Sequence, residues 1–326
     1  GLIVIGLLAL SAFFSSAETA MMTVNKIRVR NLAEAGLSHA VVLEKVLSNQ
    51  PKMLSAILIG NNIVNISASS LMTVLVTDVL GNKYVGIGTG VLTLLVLIFG
   101  EITPKTSATI YSETLSLKFA KPIYLIMQVL TPLIVVVDGL SKGVLKMIHV
   151  DPNKKQDAIT EDELRTIVEV SHEEGVIESD EKKFEAGLSH AGVLEKGLSN
   201  QPKMLSATLI GNNIVNISAS SLMTVLVTDV LGNKYVGIGT GVLTLLVLIF
   251  GEITPKTSAT IYSETLSLKF AKPIYLIMQV LTPLIVVVDG LSKGVLKMIH
   301  VDPNKKQDAI TEDELRTIVE VSWRRS

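Results

Sequence analysis

Residues 34–171 of this chain recur as residues 185–322 with three differences: Val41 against Gly192, Val46 against Gly197, and Ile57 against Thr208. Both stretches carry nearly the same folding instructions, so a difference between the folded copies must come from these three positions or from their surroundings. The loops are as alike as the apolar runs, Gly81-Asn82-Lys83 returning as Gly232-Asn233-Lys234, which marks either a very recent duplication or a misassembled gene. The second copy has no counterpart of residues 1–33, and Trp323-Arg324-Arg325-Ser326 abandons the pattern His172-Glu173-Glu174-Gly175 of the first.

The repeated unit is built on apolar runs. A helix needs ~20 predominantly apolar residues to cross a bilayer, and residues 1–24 form such a run. Lys26, Arg28 and Arg30 follow it and place that end in the cytoplasm by the positive-inside rule. No basic region precedes the run, which argues against a signal peptide; the sequence opens inside it. Further spans are expected at about 53–80 and 84–103, and in the second copy at about 204–231 and 235–254. Residues 123–137 are short for a crossing, contain Gln128 and Pro132, and lie between Lys121 and Asp138; they suit a re-entrant or interfacial belt. A capping box from Thr160 to Glu163 opens an acidic amphipathic helix in the charged stretch that follows. The expected fold is an all-α membrane protein. Residues 1–150 form a three-span bundle with a juxtamembrane belt, and 151–184 an acidic cytoplasmic helical segment. Residues 185–301 form a partial second copy lacking the first span, and 302–326 a repeat of the acidic segment. Five spans would leave the C-terminus inside.

With 48% hydrophobic residues, 18% charged residues and a net charge of -1, the chain suits a lipid bilayer as its partner and gives nucleic acid no basic face. The absence of cysteine removes disulfides, thiolate metal sites and thiol nucleophiles together. Ionisable groups at membrane depth are costly and mark function by default. Ser11, Ser15 and Glu18 fall on one stripe of the first span, with Ser16 and Thr19 beside it. Asn61, Asn62 and Asn65 cluster in the second, Asn61 and Asn65 one turn apart. In the third, Gly100-Glu101-Ile102-Thr103-Pro104-Lys105 sets a carboxylate before a proline that frees the carbonyl of Gly100. Unwound carbonyls at membrane depth recur as cation ligands, and an all-oxygen set suits Mg2+, Ca2+ or Na+ rather than zinc or copper. A second reading of the same residues makes them interhelical glue, with Glu101 paired to Lys105 at the cytoplasmic interface.

Other patterns lead nowhere. Gly86-Ile87-Gly88-Thr89-Gly90 lacks the last glycine of a dinucleotide fingerprint and opens a span, where it suits close helix packing. Asp151-Pro152-Asn153-Lys154-Lys155-Gln156 has Lys at the fifth position of a calcium loop and Gln where glycine is required. Asn65-Ile66-Ser67 is a glycosylation sequon inside a span, and His39 and His149 stand alone. No HExxH or nucleophile elbow is present, so no enzyme is expected.

Three segments resemble the membrane signatures of the CorC/CNNM (cyclin M) magnesium transporters: Ser11-Ala12-Phe13-Phe14-Ser15-Ser16-Ala17-Glu18-Thr19-Ala20, Leu58-Ile59-Gly60-Asn61-Asn62-Ile63-Val64-Asn65, and the 100–105 motif. Ile159-Thr160-Glu161-Asp162-Glu163-Leu164 and Glu173-Glu174-Gly175-Val176-Ile177-Glu178 resemble the acidic segment that follows them in that family. The resemblance covers residues 1–183 and, without the first span, 185–322. It implies a homodimer, or a pseudo-dimer made through the repeat, in a bacterial plasma membrane. Mg2+ would be exported, with Na+ entry as the coupled flux. It also assigns Ser11, Ser15, Glu18, Asn61, Asn65, the Gly100 carbonyl and Glu101 to the cation pathway. Asn212, Asn216, Gly251 and Glu252 would form a half-site in the second copy. Where the family continues into paired CBS regulatory domains, this chain restarts at Glu185, so their sensing of nucleotide and magnesium does not carry over. A non-transporting membrane scaffold or sensor, or a misassembled fragment without activity, is the competing expectation.

Overall fold

A computed structural model describes residues 2–150, 193–194 and 196–302. The acidic segments, including the capping box at Thr160 and Glu163, lie outside the described residues apart from Asp302. Among the described residues every regular element is helical. The first copy runs α1 (Leu2–Thr23), α2 (Lys26–Glu34), α3 (Ser38–Leu47), α4 (Gln50–Leu80), α5 (Val85–Leu95), a π-helical turn (Val96–Ile102), α6 (Thr103–Ile110), α7 (Ser112–Val129) and α8 (Thr131–Met147). The second runs α9 (Gln201–Leu231), α10 (Val236–Leu246), a π-helical turn (Val247–Ile253), α11 (Thr254–Ile261) and α12 (Ser263–Met298).

Local chemistry sets the boundaries. Asn25 Oδ1 accepts from the backbone N–H groups of Ile27 and Arg28 at 3.0 and 3.3 Å, capping α2. Asn49 caps α4 through Lys52 N–H at 3.2 Å, and Pro51 opens that helix where its missing N–H costs nothing. Gly81, at φ 91°, ends α4 in a conformation that side chains rarely adopt. The core of the first copy gathers Phe14, Ala17 and Met21 of α1 with Leu43, Val46, Met53, Ile57, Ile59, Ile123 and Met127.

All-α membrane architecture is as expected, but the span count is corrected. Six helices among the described residues are long and apolar enough to cross a bilayer, against the five expected. The sixth is Lys269–Met298, where the belt sequence of the second copy runs as one unbroken helix. In the first copy the identical sequence breaks between α7 and α8, at an angle of 65°. The cause is packing. Ala120, Ile123 and Met127 of α7 are buried with residues of α1, α3 and α4, whereas the second copy has no sequence for α1 or α2 and has Gly197 where Val46 is wholly buried. Without that module to hold α7 down, α12 lies along α9 instead, with Met278, Ile285 and Val288 against Ala207 and Ile210.

The copies meet face to face through hydroxyls. Ser70 Oγ lies 3.1 Å from Ser220 Oγ, and Ser69 Oγ 3.1 Å from Ser221 Oγ. Ser69 donates to Ile217 O at 2.9 Å and Ser220 to Ile66 O at 3.0 Å; Thr89 reaches Ser221 at 2.9 Å and Thr240 reaches Ser70 at 3.0 Å. Thr103–Ser292 (2.7 Å) and Thr254–Ser141 (2.8 Å) complete the set. Each contact is answered by its counterpart with the copies exchanged, which is the mark of an isologous, two-fold interface. Small hydroxylated residues let helices approach closely where lipid supplies no hydrophobic drive.

Candidate cation site

The sequence-predicted residues of the first copy converge where α1, α4 and the π-helical turn pack together. Glycine permits the approach: a Cβ built on Gly60 would lie 2.4 Å from the Phe14 ring, and one on Gly100 would lie 2.8 Å from Ser11 Oγ. Ser11 and Ser15 thereby lose all but 1% and 0% of their exposure, and Glu101 all but 2%.

Asn61 Nδ2 donates to Glu101 Oε1 at 3.1 Å, leaving its own Oδ1 turned away from that bond. Ser11 Oγ, Ser15 Oγ, Asn61 Oδ1 and Asn65 Oδ1 are buried without a hydrogen-bond partner from the protein, as is Ser107 Oγ. Buried polar atoms are nearly always satisfied, and each orphan costs about 1–3 kcal/mol. Four such oxygens lie on two helices that pack against the π-helical turn, and of these residues Asn61 touches the Glu101 carboxylate. Asn62 stands apart, its amide donating to Leu58 O at 3.0 Å.

Two features went unforeseen. The third span does not simply kink at Pro104; it widens into the π-helical turn Val96–Ile102, closed by Thr103 N–H on Ile98 O. π-Turns within α-helices concentrate at functional sites. The other feature is the reach of Lys105. Its Nζ lies 3.2 Å from Glu101 Oε2 and 3.3 Å from Glu18 Oε2, so one ammonium joins the carboxylates of two spans. The four-residue spacing signalled its pairing with Glu101, but nothing in the sequence pointed to Glu18. Among the described residues no three His, Cys, Asp or Glu side chains gather, so a caged metal of the structural kind has no ligand set.

In the second copy, Asn212 Nδ2 donates to Glu252 Oε1 at 3.1 Å, and Lys256 pairs with Glu252. Among the described residues no serine or second carboxylate joins them: Asn212 is exposed, Asn216 half-buried, and Gly251 meets only its own Val247.

Fold and site together define an all-α membrane protein with a buried, oxygen-lined carboxylate between its helices. The chain belongs to the family of the cyclin M transmembrane N-terminal domain, whose model matches residues 2–181 and again 182–325. It is similar to a UPF0053 protein of Haemophilus influenzae, 37% identical over 167 residues, which are 51% of this chain and 40% of that protein. The UPF0053 inner membrane protein YfjD of Escherichia coli is 36% identical over 163 residues, 50% of this chain and 38% of that one. A chloroplastic DUF21 domain-containing protein of Arabidopsis thaliana is 36% identical over 182 residues, 56% and 28% of the two chains. The chain thus spans less than half the length of these curated relatives.

Proposed function

We propose that the first copy carries a hard divalent cation, Mg2+ as cargo, across the bilayer. The observation that supports this most directly is the set of buried, orphaned oxygens on Ser11, Ser15, Asn61 and Asn65, with Asn61 bonded to Glu101 and Ser11 against Gly100. Hydroxyl, amide and carboxylate oxygens are the donors a hard ion takes, and several waters of Mg2+ could fill the rest of its octahedron. The ion enters from one face, replaces the Lys105 ammonium at the carboxylates, and leaves by the other when the spans shift. Export coupled to Na+ entry, a bacterial plasma membrane, and the second copy standing in for a second protomer belong to the same reading. The reading assigns no catalysis.

Mg2+ flux from liposomes containing the protein tests it. Flux is expected, driven by a Na+ gradient, and Glu101→Gln or Asn65→Ala should reduce it by about tenfold or more, a loss of at least one 1.4 kcal/mol step. Full flux in both variants would remove the ligand assignment. No flux in the unmutated protein would favour a scaffold in which these residues only join helices.

A further inference from the structure

The two copies present the same groove, filled in one and open in the other. In the first, α1 lies in it: Phe14 sits over Gly60, Ser11 against Gly100, Ser16 Oγ donates to Pro104 O at 3.4 Å, and Glu18 pairs with Lys105. The second copy repeats the receiving residues as Gly211, Gly251, Pro255 and Lys256, but the sequence before it, 151–184, is densely charged and holds no run able to serve as a span.

The opened surface is measurable. Val64 is 7% exposed and its counterpart Val215 64%, while Lys105 rises from 28% to 59% at Lys256. Cβ atoms built on Gly211 and Gly251 meet nothing nearer than Leu281 Cδ1 at 4.0 Å and Val247 Cγ1 at 3.7 Å, so no side chain presses into these notches as Phe14 and Ser11 do in the first copy, and Leu281 of α12 borders the one at Gly211. At position 57, wholly buried in the core that α1 joins in the first copy, the second carries Thr208, which is exposed and bonds back to Met204 O.

We infer that the groove over Gly211, Gly251 and Lys256 docks a transmembrane helix of α1 chemistry supplied by another polypeptide. Such a helix has a phenylalanine for the Gly211 notch, a serine three residues before it for Gly251, and a glutamate four residues after it for Lys256. The occupied first copy fixes these spacings, and the Glu18–Lys105 pair supplies the charge complementarity. α1 of the same chain is not available, because it is tied through α2 and α3 to the groove it already fills.

A synthetic peptide of residues 1–24, fluorescently labelled, is the probe. The chain has no cysteine, so a single cysteine introduced at an exposed position on α9 accepts the matching dye without side reactions. In lipid nanodiscs, energy transfer should saturate at one peptide per chain. Gly211→Ala and Gly251→Ala place a methyl at ordinary contact distance from its neighbours and leave the fold intact, yet each should weaken binding about tenfold, as should a peptide with Glu18→Lys. A scrambled peptide that binds equally well would show a nonselective greasy face and overturn the proposal, as would absence of binding. Self-association of the chain that Gly211→Ala abolishes would also overturn it, by assigning the groove to a second copy's face.

Discussion

Gly60→Ala and Gly211→Ala are the same substitution in the same sequence, one under α1 and the other without it. At Gly60 the new Cβ would stand 2.4 Å from Cε1 and Cζ of Phe14, over 1 Å inside carbon–carbon contact. Phe14 has little room to withdraw, since its ring meets Phe13 edge-on at 5.3 Å and Phe13 in turn meets Phe119 at 5.1 Å. Overpacking of this kind costs about 1–3 kcal/mol, while Gly to Ala inside a helix gains about 1 kcal/mol. At Gly211 the nearest atom is 4.0 Å away, and only the gain applies. Helix propensity cancels between the two sites, so the difference isolates the α1 contact at about 1–3 kcal/mol, a factor of roughly 5 to 150 in the unfolding equilibrium. Titration with SDS from mixed micelles, followed by helical circular dichroism, measures both. Equal effects of the two substitutions would show that α1 does not rest on Gly60, and the geometry of the candidate site would fall with it.

Three further outcomes follow from the structure. Spin labels at Lys118 and Lys142, which straddle the bend, should lie about 30 Å apart by backbone, against about 36 Å for Lys269 and Lys293 on the unbroken α12, at 1.5 Å rise per residue; equal distances in double electron–electron resonance would contradict the two shapes. Ser221→Ala removes a hydroxyl that bonds Ser69 at 3.1 Å, Thr73 at 3.0 Å and Thr89 at 2.9 Å, and should cost about 1–2 kcal/mol in the same SDS titration; no change would mean that these hydroxyls find other partners. Lys105→Met removes the ammonium that competes for Glu101 and should tighten Mg2+ binding by calorimetry about tenfold, with Lys256→Met as the silent control; weaker binding would make Lys105 a positioner of the carboxylates rather than a rival to the ion.

The spans were legible because unbroken apolar runs admit few other folds, and so were the oxygens, since Ser11, Ser15, Asn61 and Asn65 are conspicuous in such runs. Their geometry was less so. A proline at 104 announces a disturbed helix but not its form, and the form taken is a π-turn that keeps the third span nearly continuous. Pairing of Glu101 with Lys105 is local and readable; the reach of Lys105 to Glu18 depends on how two spans pack, which Gly60 and Gly100 permit but do not declare. The short run 123–137 with Pro132 in it pointed to a re-entrant belt, and the first copy bends there by 65°; that only one of two identical stretches would bend was not legible. Residues 112–147 and 263–298 are identical, and one is broken where the other is a continuous helix. Pro132 and Pro283 are equally placed to weaken each helix, so proline supplies the capacity to bend and the α1–α3 module decides whether it is used.

That same module sets the charge of the two sites. In the first copy Glu18 and Glu101 share one ammonium, so with all three groups ionised the cluster keeps one negative charge, with Glu101 buried and Glu18 and Lys105 partly exposed. In the second, Glu252 and Lys256 balance each other and leave none. On the proposed reading, a divalent ion at the first site would be neutralised in full by Glu18 and Glu101 once Lys105 moved aside, whereas at the second it would meet a single carboxylate already paired. Moving an unneutralised charge into the bilayer is what membrane proteins avoid. The near-identical repeat therefore carries two chemically different sites, and the difference lies in α1 rather than in any residue the copies share.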